Sequence, residues 1–89
     1  MAGAVLSDQQ RLVLSIVARK DKGTHTPDGI ARQLRTEHEQ PAATWQGVTR
    51  TVASLVKRGL VVRHSYTKMT WYEITPAGQQ ELAETEQDR

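Results

Sequence analysis

Eighty-nine residues make one domain and leave no room for a second core. The chain has no cysteine, which excludes a disulfide framework and a thiolate metal site and makes a reducing compartment the natural setting. A formal net charge of +2 conceals an asymmetry: no acidic residue lies between Glu39 and Glu73, a window that holds Arg50, Lys57, Arg58, Arg63, Lys68 and His64 and so carries +5, whereas seven Lys/Arg against ten Asp/Glu leave the rest at −3. A surface cleared of carboxylates suits a polyanion, because each phosphate it neutralises releases condensed counterions.

Ser7 followed by Gln10 has the spacing of a capping box and predicts a helix running to about Arg19, preceded by a flexible 1–6. Met1-Ala2-Gly3-Ala4-Val5-Leu6 is too short, and lacks the basic start, for a secretory signal. No apolar run approaches bilayer length, so a cytoplasmic, nucleoid-associated chain without a membrane partner is expected. Leu12, Val13, Ile16 and Val17 fall on one stripe of this first helix. Leu14 points away from the stripe and is expected at the surface, where with Leu6 and Leu82 it is a candidate dimer contact.

Asp21-Lys22-Gly23 reads as a turn and Thr24-His25-Thr26 as a stub strand. Thr26-Pro27 pairs an N-cap with proline at the first helical position, opening a second helix through Ile30, Ala31 and Leu34 to about Thr36. Glu37 to Ala43 connects, with Pro41 stopping helix continuation. Thr44 caps a third helix to Arg58, and Gly59 is its left-handed terminator.

Leu60–Tyr66 and Thr70–Ile74, separated by Thr67-Lys68-Met69, predict an antiparallel hairpin with Leu60, Val62, Tyr72 and Ile74 inward. Its tip lacks Asn-Gly, so a loose turn is expected. Thr75-Pro76 launches a closing helix through about Glu84, and 87–89 are expected to fray. The order predicts an α+β winged helix-turn-helix over 7–86: a three-helix core, a two-stranded β-hairpin wing and a C-terminal helix.

On the third helix Val48, Val52 and Leu55 share the core side. Gln46, Arg50, Ala53 and Lys57 lie opposite, with Thr49 flanking and Thr44 at the start. Arg bonds guanine bidentately and Gln adenine, Ala and the Thr methyl suit thymine methyls, and a terminal Lys reaches phosphate. Surface helices ordinarily mix Glu with Lys; this face has no carboxylate. Trp45 either covers the base of the helix or touches phosphate or sugar. Arg63, His64 and Lys68 on the hairpin are expected on backbone phosphate or in the adjacent minor groove.

Leu55-Val56-Lys57-Arg58-Gly59-Leu60-Val61-Val62-Arg63, followed by Ile74-Thr75-Pro76-Ala77-Gly78 and Leu82, resembles the third-helix and wing signature of MarR-type winged-helix transcription regulators. Val48-Thr49-Arg50 matches the stretch where that family places its groove-reading side chains, and Ile30-Ala31-Arg32-Gln33-Leu34 matches its second helix. The likeness spans about Asp8 to Leu82. It implies a sequence-specific binder of double-stranded DNA, a repressor or activator working as a homodimer on a two-fold site. With short ends, a minimal single-domain form of such a regulator is expected. Tyr66-Thr67-Lys68-Met69-Thr70 stands where the family carries an acidic-x-arginine element, and no small-molecule effector is expected.

His25, His38 and His64 are widely separated, and neither a nucleophile–base pair nor a Gly-rich phosphate loop is present, so neither an enzyme, a cofactor nor a metal site is expected. The competing readings are a winged-helix protein–protein interaction module and a non-specific DNA-binding architectural or replication accessory protein. Exposed apolar patches would favour the first, and a lack of competitor preference the second.

Overall fold

The computed structural model describes residues 6–19 and 24–87; the expectations for 1–5, for Asp21-Lys22-Gly23 and for 88–89 lie outside them. The fold is α+β, with four helices and a two-stranded antiparallel hairpin in the order α1 (Asp8–Ala18), α2 (Pro27–Glu37), α3 (Trp45–Lys57), β1 (Val61–Tyr66), β2 (Met69–Ile74) and α4 (Pro76–Gln87).

A hydroxyl opens every helix, accepting one of the backbone N–H groups that helix geometry leaves over. Ser7 and Gln10 form the reciprocal capping box. Thr26 accepts from Gly29 N, Thr44 from Gly47 N, and Thr75 from Gly78 N. Gly59, at a φ of 77°, takes the left-handed conformation that ends α3, and Leu60 N donates back to the Leu55 carbonyl.

α1 is the central element, in contact with α2, α3, β2 and α4. Its surroundings overturn the expectation for Leu14, which is 0% exposed. A helical wheel assigns one buried face, but a helix enclosed on several sides buries residues around much of its circumference. Leu6 and Leu82 are buried as well, so the three leucines expected as a dimer contact belong to the chain's own core. Leu6, expected in the flexible 1–6, is packed in the core, and α4 reaches Gln87, beyond the expected Glu84.

The hairpin corrects a second expectation. Val61 is buried and Val62 is 42% exposed, the reverse of the predicted assignment. Leu60 is buried too, but it belongs to the turn after α3, and strand alternation begins only at Val61. Directly opposed residues of an antiparallel pair share a face. Val61/Ile74 and Arg63/Tyr72 therefore form the inner face, and Val62/Glu73, His64/Trp71 and Tyr66/Met69 the outer one.

The tip is tight rather than loose, a two-residue turn of Thr67 and Lys68. Thr67 adopts a φ of 53°, and its hydroxyl donates to the Tyr66 carbonyl at 2.6 Å. The expected stub strand is a bend joined to the hairpin by a backbone bond from Tyr72 N to the His25 carbonyl at 2.7 Å, and the sheet has two strands.

The root of the hairpin is fixed to the start of α4. Thr75 N donates to the Leu60 carbonyl, and the Thr75 hydroxyl donates to the Gly59 carbonyl at 2.8 Å. Gly78 is buried against the same root: a Cβ there would collide with the Leu60 carbonyl oxygen and stand 2.7 Å from Ile74 Cγ1.

Candidate nucleic-acid interface

Burial of Val48, Val52 and Leu55 fixes the rotation of α3 about its axis. Gln10 adds a polar tie from α1, its Nε2 donating to Ser54 Oγ at 2.8 Å. Gln46, Arg50, Ala53 and Lys57 are consequently all exposed on the opposite side. Thr49 is half-buried, and its hydroxyl donates to the Trp45 carbonyl at 2.8 Å, turning it along the helix. Thr44 is exposed with its hydroxyl committed to the cap. Trp45 is 52% exposed, which sets aside the reading in which it covers the base of the helix.

The hairpin residues divide. Arg63 shares the inner face with Tyr72 and extends beyond the core into solvent, and Lys68 sits exposed in the turn. His64 lies on the outer face, stacked on Trp71 with ring centroids 5.3 Å apart and 17° between planes. Its Nε2 stands 3.0 Å from Glu73 Oε1. His64 is thus occupied within the hairpin, beside the carboxylate that closes the acid-free window.

Other cations are held inside the chain: Arg11 by Asp8 at 2.7 Å, Arg19 by Glu37 at 2.9 Å, and Arg35 by the Ala43 carbonyl at 2.9 Å. No hydrogen bond or ion pair with another described residue engages the side chains of Arg50, Lys57, Arg63 or Lys68. Among the described residues, these four positive groups therefore face solvent without an internal counter-charge, as does Arg32 on α2.

One cleft brings residues of three elements together. Trp45 and Lys68 line it with Met69 and Thr70 of the hairpin and with the first turn of α2, including Asp28. The sequence alone singles out neither Asp28 nor Met69. Asp28 resembles any acidic residue in a helix first turn, and the exposure of Met69 follows only from the strand register. The same register puts Tyr66, 70% exposed, opposite Met69 and on the same outer hairpin face as Trp71 and Val62.

Among the described residues no helix is long and apolar enough to cross a membrane, and no three histidine, aspartate or glutamate side chains group as a metal site requires. No family model, curated protein or solved structure matches the chain.

Proposed function

We propose that the chain is a sequence-specific regulator of transcription, most simply a repressor, built as a winged helix of the MarR-like kind. In this reading α3 enters the major groove of double-stranded DNA, and the hairpin acts as a wing on the backbone or the adjacent minor groove. The observation that carries it is the exposed, carboxylate-free side of α3, where Gln46, Arg50, Ala53 and Lys57 stand free of partners among the described residues. Arg50 and Gln46 supply base-edge contacts, and Ala53 lets the helix approach the groove floor. Lys57, Arg63 and Lys68 supply phosphate contacts. A homodimer on a two-fold site is part of the proposal, with its contact drawn from residues other than Leu6, Leu14 and Leu82.

Binding to duplex DNA measured against salt tests this. Three phosphate contacts per chain, six in the dimer, predict a slope of log K against log salt of about −5, together with a defined footprint. Binding confined to low salt, without preference among competitor sequences, overturns the regulator reading and leaves a non-specific binder. The outer face of the hairpin, where Val62, Tyr66, Met69 and Trp71 lie around His64 and Glu73, favours a second reading, an interaction module that docks those four side chains on another protein. That reading predicts no duplex binding at any salt concentration.

A further inference from the structure

The cleft between α2, α3 and the hairpin tip has a composition that groove reading does not explain. Its volume is about 370 Å³, in the range of small-ligand sites. Trp45 and Met69, 52% and 61% exposed, both line it. An indole held half in water gains by stacking on a flat unsaturated ring. Asp28 is the one carboxylate of the lining, with no hydrogen bond or ion pair to another described residue. A carboxylate repels a phosphate passing through the cleft, yet accepts hydrogen bonds from the amino and ring N–H groups of a base. Lys68 adds the cation that a nucleotide's phosphate needs.

We infer that this cleft takes one unpaired nucleobase with a donor edge. Guanine is the best match, since its N1–H and exocyclic amino group point the same way and meet the two oxygens of one carboxylate. Trp45 stacks on the ring, Asp28 accepts from the edge and Lys68 holds the phosphate. The base comes from a bulge or frayed end of a bound duplex, or from a free nucleotide. In the first case the inference rests on the duplex reading above, because α3 and the hairpin deliver the strand to the cleft.

Trp71→Phe leaves Trp45 as the sole tryptophan, so indole fluorescence then reports on the cleft. This protein is titrated with guanosine monophosphate and with four duplexes that differ at one position: fully paired, or bulged by guanine, hypoxanthine or an abasic site. The guanine bulge is expected to quench Trp45 and bind about tenfold tighter than the paired duplex, the abasic bulge to gain nothing, and hypoxanthine to fall between. Trp45→Ala should abolish the ratio between bulged and paired duplexes, and Asp28→Ala should equalise guanine with hypoxanthine. An equal gain from the abasic site, a gain that survives Trp45→Ala, or no quenching by any bulge or by the mononucleotide overturns the inference. If no duplex binds but guanosine monophosphate quenches Trp45, the groove reading falls while the cleft stands as a nucleotide site.

Discussion

The first and third helices begin with the same kind of hydroxyl cap and differ in length by only two residues, 11 against 13, but they occupy opposite situations. α1 is packed against α2, α3, β2 and α4; α3 touches α1, α2 and β1 and keeps one side in water. In α1 Val13, Leu14, Ile16 and Val17 are each at most 2% exposed. In α3 the three core residues lie opposite Gln46, Arg50 and Lys57, whose side chains bond no other described residue. The contrast separates stability from binding: residues of α1 hold the chain together, and the outward residues of α3 are open to an external ligand at little structural cost.

Substitutions can break that separation or sharpen it. The largest effect is expected from Leu14→Ala, which empties a fully enclosed position and should cost about 2–5 kcal/mol of folding stability in urea. A change within about 0.5 kcal/mol would return Leu14 to the surface and undo the contrast. Gly78→Ala should cost about 1–3 kcal/mol, since the new methyl group meets backbone at the hairpin root; an unchanged urea midpoint would mean that α4 does not seat there.

Arg50→Ala should leave the urea midpoint in place while weakening specific DNA binding by about 1–3 kcal/mol and relaxing base preference at one position. Loss of stability instead would show that the outward side of α3 supports the fold. Lys68→Ala is the mildest: affinity for all sequences should fall alike, and the salt slope of the dimer should shrink by about 2, one contact from each subunit. An unchanged slope removes the hairpin tip from the phosphate contacts.

Features governed by neighbours along the chain are legible in the amino-acid sequence itself. Ser7 with Gln10, Thr26-Pro27, Thr44, Gly59 and Thr75-Pro76 each fix a helix boundary through local hydrogen bonding or φ preference, and each stands where expected. The outward set of α3 is legible for the same reason, since its valines and leucine leave one rotation that buries them. Leu14 escapes a sequence reading because its burial depends on elements remote along the chain. The hairpin register escapes it because Val61 and Val62 are chemically identical, and only the length of the turn after Gly59 decides which faces inward. The tight tip is hidden because Thr67 takes a positive φ that its residue type rarely adopts. The cleft around Trp45 draws on three separate elements, so no single stretch of chain announces it.

The clamp at the base of the hairpin has a mechanical corollary. Thr75 and Gly78 grip the strands near Leu60, and Tyr72 is tethered once to His25; the reach from Ser65 to Thr70 then projects as a cantilever. A beam anchored at one end concentrates bending where it leaves its support. Lengthening the free end by a matched pair of residues should therefore extend its grasp while preserving strand parity, whereas inserting one residue at the anchored end would swap every side chain between faces.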